Sequence, residues 1–449
     1  MLRYARFAAV GLGLIGGLSG CNSFLDAPKA IADPNAPTAA SVNQLLVGIE
    51  ANIFGEQEGP VEMLICEWMQ QCAGTAGRFV EVQGTYTVTN NSFDGSFGST
   101  YDAGGLLQIK DAEARADGIG DKVYKGVLEV LEAMNTLYGV DNWGSIPYRE
   151  AIVSTTPAFD PQLQIYDDLL KLLDQAITDM NGAGSGPGAF DLVYGGDKTK
   201  WTQAAHTLKS RIYLHLEEVR GVSQYTSALT EAQLGISAPA NDWKTVHSEA
   251  TSERNMWFQF QLTSFGQDLV AGARLVQIMQ AQNDPRLPEY FGKNSTGGYG
   301  GYDVATQQTF GEPSPIASSG RNTATFGQPI ITYDENQLII AEASLQSGNP
   351  VAAAIALNNV RTRHGKGVIA APTLNDIMTE KYITLFQNME YWNDYKRTCL
   401  PTLTPALGRS VVPGRLPYGI TELQTNPNAP TDPGPTLITG RNANDPNSC

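Results

Sequence analysis

Two stretches of apolar residues at helical spacing, joined by a two-residue turn, constrain the fold of this chain most strongly. They cover Asp334 to Ser347 and Pro350 to His364, and Gly348-Asn349 lies between them. Glycine favours the end of one helix, and proline favours the first turn of the next. The sequence therefore predicts a helical hairpin, whose small residues allow close packing of the two helices: Ala341, Ala343, Ala353 and Ala356.

Other stretches repeat the helical spacing. Apolar residues recur at intervals of three and four between Asp121 and Gly139, after Asp160-Pro161, and from Trp201 to Leu216. A further pattern predicts one helix from about Asn375 to Asp394. A helix pair needs neighbouring pairs to bury its free apolar face, as in tetratricopeptide-type repeats. We therefore expect a mainly α fold built from tetratricopeptide-like helix pairs, with few short strands.

Segments rich in Gly, Ser, Thr and Asn interrupt the helical ones. Phe79 to Thr89 alternates enough to predict a short hairpin around Gln83-Gly84. The proline- and asparagine-rich residues 425–449 predict an extended surface tail. We expect a single domain over residues 21–449, with a helical scaffold at about 35–77, 106–220 and 329–400 and with loop-rich regions at about 78–105 and 221–328; the family resemblance described below implies that these regions are variable and carry the ligand site.

The first twenty residues have the features of a signal peptide. Arg3 and Arg6 precede an apolar run, Phe7–Leu18, that is too short to span a bilayer as a mature helix. The stretch Leu18–Cys21 resembles the bacterial lipobox, in which the cysteine thiol is lipidated before cleavage. We expect Cys21 to become a lipidated N-terminus. The alternative is a free thiol after an ordinary signal peptide.

The charge and the cysteines fit an exported protein. The formal charge is -16, from 46 acidic and 30 basic residues, and such a surface repels nucleic acid. With Cys21 lipidated, four cysteines remain, and they allow three pairings. We favour Cys66 with Cys72, a short local loop, and Cys399 with Cys449, which would hold the tail. Four free thiols are the alternative.

Enzyme signatures do not emerge from the sequence. The four histidines show no HExxH or other metal-ligand spacing, and neither GxSxG nor a P-loop is present. Acidic residues are plentiful, but their spacing in sequence cannot establish the carboxylate separation that a glycosidase requires. We therefore predict no catalytic residues, no metal site and no cofactor.

Seven short motifs follow one another along the chain. They are CNSFLD from Cys21, WGSIPYREA from Trp143, the Trp201–Arg211 stretch with LKSR, NDPRL from Asn283, the Tyr333–Arg363 hairpin, EYWNDYKR from Glu390 and RLPY from Arg415. In this order they resemble the motifs of the SusD/RagB lipoproteins, the nutrient-binding subunits of outer-membrane uptake systems. Ser145, Cys399 and Gly419 depart from the residues that are common at these positions in the family motifs, and these departures concern the details of turns.

The resemblance implies a function as well as a fold. It implies a SusD-like helical scaffold and a SusC-like TonB-dependent transporter as partner, to which the lipoprotein passes a captured glycan. It also implies lipid anchoring in the outer membrane, facing the exterior. Peptide or another non-glycan nutrient is the alternative cargo, and a surface adhesin or a glycoside hydrolase is a more distant reading.

Ligand contact is expected from aromatic and polar side chains in the loops. Sugars present C–H faces that stack on aromatic rings, and hydroxyls that pair with polar groups. Tyr299 and Tyr302 are the first candidates, because the glycines around them disfavour burial in a helix. The remaining aromatic candidates, for which local packing is the alternative, are Trp68, Tyr86, Phe97 and Phe310. Asp303 could supply a hydrogen bond, and the solvated polarity of a loop is the alternative.

Overall fold

The computed structural model describes residues 40–316, 320–431, 440–447 and 449. The predicted signal peptide and Cys21 lie outside these residues, so cleavage and lipidation stay predictions. Among the helices described, none combines the length and the apolar character needed to cross a bilayer. Residues 40–44 belong to a unit of their own, and the fold described below extends from Leu45 to Cys449.

Helices make up most of the regular structure, as predicted. They are α1 Val42–Glu58, α2 Pro60–Trp68, α3 Asp94–Gly98, α4 Leu106–Gly118, α5 Lys122–Trp143, α6 Gln162–Met180, α7 Lys198–His215, α8 Glu217–Arg220, α9 Ser223–Ala232, α10 Met256–Gln261, α11 Ala273–Ala281, α12 Leu287–Tyr290, α13 Tyr333–Gln346, α14 Pro350–Arg363, α15 Leu374–Thr384, α16 Glu390–Thr398 and α17 Ile420–Thr425. The mainly α prediction is confirmed.

Short strands form three two-stranded antiparallel sheets in the described chain. The strands are β1 Cys72–Gly74, β2 Trp243–Lys244, β3 Leu269–Ala271, β4 Gly301–Asp303, β5 Gln308–Phe310 and β6 Pro329–Ile331. They pair as β1 with β3, β2 with β6, and β4 with β5. Only the last pair is a local hairpin.

Side-chain caps fix where several long helices begin. Asp121 accepts a hydrogen bond from the backbone N–H of Tyr124 at 2.8 Å, at the start of α5. Asn349 caps α14 in the same way, with Pro350 as its first residue. Such caps satisfy backbone donors that have no partner within the helix. The predicted hairpin over α13 and α14 therefore begins and ends within one residue of its expected bounds.

The long helices pack on one another in a continuous array. Contacts run from α4 to α5, then through α6, α7, α9 and α13, and α13 packs on both α14 and α15. One apolar cluster between α7, α9 and α13 includes Leu214, Ala228 and Ile339. Helix α9 lies within the region predicted as loop-rich, so that region also contributes to the scaffold.

Two local predictions are wrong. The single helix expected over Asn375–Asp394 is interrupted between α15 and α16, where Gln387 has a φ of 58° and Arg321 donates to its side chain at 3.0 Å. The hairpin expected around Gln83-Gly84 is instead a π-helical turn, Phe79–Gln83. In both places a tertiary contact or a local turn overrides the periodicity of the sequence.

The end of the chain is not the surface tail that its composition predicts. Asn442, Asn444 and Asp445 are buried. Asn442 donates to the carbonyl of Asp141 at 2.9 Å, and Asn444 donates to that of His215 at 3.1 Å. Asparagine side chains can satisfy buried carbonyls that no helix pairs, so a polar segment fits inside the fold.

Two disulfides are present, Cys66–Cys72 and Cys399–Cys449. This is the pairing favoured from the sequence. The second closes a loop of 50 residues and ties the buried C-terminal segment to the end of α16. In the chain-entropy model, a cross-link over so long a loop stabilises the fold mainly by restricting the unfolded chain.

A buried ion cluster joins three helices near the core. Glu342 of α13 accepts from Lys381 of α15 at 2.9 Å and from Arg397 of α16 at 2.7 Å. Burial alone would raise the pKa of Glu342, but Arg397 and Lys381 lower it to about 2. Asp394 also accepts from Lys381, at 3.0 Å. The four charges thus compensate one another away from water.

Replacing one member of this cluster should destabilise the fold strongly. Glu342→Gln leaves Arg397 and Lys381 with less negative charge in a site closed to water. We expect the free energy of unfolding in urea to fall by about 3–5 kcal/mol. The matched control is Asp111→Asn, which breaks a surface pair with Arg115 at 2.9 Å and should change stability little. Equal effects of the two variants would contradict the role of the cluster.

Candidate functional site

The β4–β5 hairpin carries three of the residues predicted to bind ligand, Tyr302, Asp303 and Phe310, and a fourth lies just before it. Its register pairs Gly301 with Phe310, Tyr302 with Thr309 and Asp303 with Gln308. Directly opposed residues share a face, and neighbours in a strand point to opposite faces. Phe310 and Asp303 therefore lie on one face, and Tyr302 lies on the other. Tyr299 precedes β4.

The base of the hairpin is held against the scaffold by close backbone approach. Gly272 and Tyr302 form a parallel β-bridge. A Cβ on Gly301 would lie 2.6 Å from the backbone of Ala273, and one on Gly300 would lie 2.3 Å from the carbonyl oxygen of Glu312. Only glycine fits such positions without displacement of the neighbouring backbone. The two glycines that separate the tyrosines thus fix the position of the hairpin.

The tip of the hairpin, residues 304–307, is ordered by side-chain hydrogen bonds. The Asp303 carboxylate accepts from the backbone N–H of Ala305 at 2.8 Å and from Thr306 Oγ1 at 2.9 Å. Gln307 closes the tip with a φ of 55°. Asp303 therefore already has a role in shaping the turn, beside the ligand contact predicted for it.

Distant segments complete the Tyr302 face. Gly74, Val80, Gly84 and Thr85 border the same small recess as Tyr302. Residues after α16 also reach it, because Leu407 donates its N–H to the Val304 carbonyl at 3.1 Å. Val80, Gly84 and Thr85 fall in the loop-rich region predicted at about 78–105, whereas their proximity to Tyr302 depends on tertiary packing and has no local signal in the sequence.

Three predicted ligand residues belong to the core. Trp68 is 1% exposed and packs edge-on against Trp392, with ring centroids 5.5 Å apart. Tyr86 and Phe97 are each 3% exposed, and Phe97 packs edge-on against Trp143 at 5.3 Å. A ring with no open face cannot stack on a sugar. Local packing, the alternative reading, therefore describes all three in this structure.

The remaining aromatic candidates keep accessible surface. Phe310 is 40% exposed, and Tyr299 and Tyr302 are half-buried. A half-buried ring is held by packing on one side and can meet a flat ligand on the other. Because Tyr302 and Phe310 lie on opposite faces, a single sugar ring can meet only one of them.

A larger groove lies along helix α1. It has a volume of about 560 Å³. Exposed apolar residues line one part of it, among them Val47, Leu192 and Val246. Polar and charged residues line the rest, namely His247, Ser248, Ser252, Glu253, Arg254 and Gln259. The Phe54 ring is only 6% exposed, so the groove offers polar and aliphatic contacts rather than an open phenylalanine face on which a sugar could stack.

Folding also brings together three groups that could bind a metal. Nε2 of His215 lies 2.8 Å from Glu390 Oε1, and Nδ1 lies 3.4 Å from Asp141 Oδ1. Ligand atoms of the three residues lie within 4.8 Å of one another. They come from α5, α7 and α16, so the spacing of histidines in the sequence could not reveal them.

Opposite charges account for the close approach of these three groups. Burial opposes protonation of His215, but Glu390 and Asp141 outweigh it and raise the pKa of the imidazole to about 10. The protonated ring faces both carboxylates, and Arg211 lies 3.9 Å from Glu390. The triad therefore acts as a buried ion pair that links three helices.

Comparison with known proteins places the chain in a family. Residues 34–354 match the SusD-like family described as "Starch-binding associating with outer membrane". The chain belongs to this family. The resemblance drawn from the seven motifs is thereby confirmed. No curated protein matches the sequence at a significant level.

Solved structures of the same fold cover most of the chain. A SusD/RagB family protein from Bacteroides thetaiotaomicron matches with a TM-score of 0.71 and 17% identity, over 91% of this chain and 99% of its own. A SusD homologue from Bacteroides vulgatus gives 0.73 and 18%, over 89% and 98%. A chitin-binding SusD homologue from Flavobacterium johnsoniae gives 0.66 and 19%, over 85% and 93%. At these identities the likeness establishes the fold alone.

The buried histidine should make stability depend on pH. Its raised pKa means that the stabilisation is complete below about pH 6.5 and is lost as pH rises through about 10. We expect wild type to exceed His215→Gln in unfolding free energy most at pH 6, and this difference to shrink by roughly 2–4 kcal/mol at pH 10. Urea titrations at both pH values measure it. A difference that is constant with pH would contradict a protonated His215.

Proposed function

We propose that this protein is a lipid-anchored, cell-surface binding subunit of an outer-membrane nutrient uptake system. It captures a glycan without chemical conversion and passes it to a SusC-like TonB-dependent transporter. Membership of a family described as starch-binding and associated with the outer membrane supports the location and the ligand class. Cys21, within its lipobox-like stretch, is the proposed anchor.

The observation that carries the binding proposal is the Tyr302 face of the β4–β5 hairpin. A half-buried ring there adjoins polar side chains on a rigid turn. Aromatic stacking combined with a few directed hydrogen bonds is the chemistry that sugars require. A structural neighbour described as chitin-binding has the same fold. We therefore assign sugar stacking to Tyr302.

Removing the Tyr302 ring should weaken glycan binding while the fold persists. Tyr302→Ala removes the stacking surface, and we expect the dissociation constant for a bound glycan to rise about tenfold or more. Tyr302→Phe keeps the ring and should retain most of the affinity. Affinity gels containing a panel of polysaccharides measure the effect, followed by calorimetry on the glycan that is bound.

The control for this test lies on the same hairpin. Phe310→Ala removes an exposed ring from the opposite face, and we expect it to change the affinity much less. If Phe310→Ala lost binding while Tyr302→Ala kept it, the ligand would lie on the Phe310 face and the assignment to Tyr302 would be contradicted. Release of reducing ends during the incubation would contradict a binding protein and favour the hydrolase reading.

A transporter partner should copurify with the full-length tagged chain from its own outer membrane. We expect a TonB-dependent barrel in a near-equimolar amount, identified by mass spectrometry. Cys21→Ser is the matched variant, because it removes the proposed lipid anchor. We expect the variant protein to be lost from the membrane fraction. A lipidated, folded protein that isolates without a barrel would contradict the delivery role and favour an adhesin.

A further inference from the structure

The Tyr302 ring borders a recess with a volume of about 10 Å³. Such a volume accommodates one methyl group or one water molecule. Val80 and Val304 give the recess apolar walls, and Gly74 and Gly84 complete it with backbone. The recess lies on the face of the hairpin that the proposed function assigns to the sugar.

Close packing fixes the shape of this recess. A Cβ on Gly74 would lie 2.3 Å from the carbonyl carbon of Phe79, and one on Gly84 would lie 2.7 Å from the Phe79 carbonyl oxygen. Both glycines are therefore pressed against the π-helical turn that carries Val80. Val304 is 6% exposed and is held by the hydrogen bond from Leu407. The walls are thus set by backbone contacts rather than by mobile side chains.

Two polar side chains line the recess beside the apolar walls. Thr85 Oγ1 donates to the carbonyl of Glu81 at 2.8 Å, so its oxygen offers an acceptor to an incoming N–H. Gln307, which is exposed, has a carboxamide with two N–H donors for an incoming carbonyl. The Thr85 hydroxyl as acceptor, the Gln307 carboxamide as donor and an apolar space of methyl size therefore belong to one recess.

Charges around the hairpin favour a neutral ligand. The exposed charged residues of the segments 74–87 and 293–312 are Arg78, Glu81, Lys293 and Glu312, two of each sign. The guanidinium of Arg78 stacks over the Phe79 ring at 4.9 Å. A carboxylated or sulfated glycan would need a cluster of cations, ideally a bidentate arginine. Two half-buried groups add one charge of each sign, Arg409, which donates to the Thr85 carbonyl at 2.8 Å, and Asp303, so cations are not in excess around the hairpin.

We propose that this recess binds the acetamido group of an N-acetylated amino sugar. The group's methyl fills the space between Val80 and Val304, its N–H donates to Thr85, and its carbonyl accepts from Gln307. The sugar ring stacks on Tyr302, so this inference rests on the proposed function. A sugar that carries a hydroxyl in place of the acetamido group, on the same ring carbon, would leave the apolar walls of the recess without a contact.

Two oligosaccharide series that differ only at this carbon test the proposal. Chito-oligosaccharides and cello-oligosaccharides share length and β-1,4 linkage, but the first carries acetamido groups where the second carries hydroxyls. Calorimetry should give about tenfold tighter binding for the chito series, the usual value of one apolar group in a fitted pocket. Equal affinities, or binding of only a glycan without acetamido groups, would overturn the acetamido assignment and leave glycan capture intact. Binding of no glycan would overturn both.

Variants of the recess separate the acetamido contact from stacking. Val80→Phe fills the space and should bring the chito-to-cello affinity ratio close to one, because it weakens the chito series more than the cello series. Val82→Phe, on the same π-helical turn and also half-buried, is the control and should keep the ratio. Tyr302→Ala should weaken both series.

A second variant keeps the test decisive if Val80→Phe fails to fold, which its melting temperature would show. Gln307→Ala removes one hydrogen bond at an exposed site and should lower affinity for the chito series about fivefold, and by more than it lowers affinity for the cello series. An unchanged ratio in folded Val80→Phe, or in Gln307→Ala, would overturn the assignment.

Discussion

Buried charge pairs between helices that are distant in sequence are the constraint on which this fold depends. Glu342 meets Arg397, Glu335 meets Arg211, and Glu390 meets His215. A buried charge that loses its partner costs several kcal/mol, so any arrangement that slides one helix past another is heavily penalised. The apolar faces of the array provide most of the burial, whereas the charges fix which helices meet and at which turn.

The ligand region is organised by different means. Its strands are two or three residues long, too short to be stable alone. They are held by the Cys66–Cys72 disulfide beside β1, by glycines that allow backbones to touch, and by the segment after α16 that bonds to the hairpin. Rigidity at the site therefore comes from the scaffold that surrounds it, and a preorganised site spends less binding energy on ordering itself.

Sequence reasoning reached the scaffold because helical spacing and caps are local signals. The hairpin over α13 and α14 was predictable from the helical spacing of its apolar residues together with Gly348, Asn349 and Pro350 at the turn. The break between α15 and α16 was not, since it depends on Arg321, which is distant in sequence. For the same reason the aromatic candidates could be separated only in the folded structure. In sequence, Trp68 beside a disulfide and Tyr302 beside glycines give equal grounds to expect an accessible ring. In the fold, Trp68 packs on Trp392, whereas Tyr302 borders a recess.

The close approach of Gly300 and Gly301 has a consequence for how such proteins diverge. Substitution at the base of the hairpin would push apart two backbones, whereas residues 305–307, beyond the buried Val304, are half-buried or exposed. Exchanges at these three positions would alter the surface offered to a ligand while the glycine contacts at the base of the hairpin persist. One scaffold can in this way acquire a new cargo through a change of a few residues, which separates the evolution of ligand preference from that of folding.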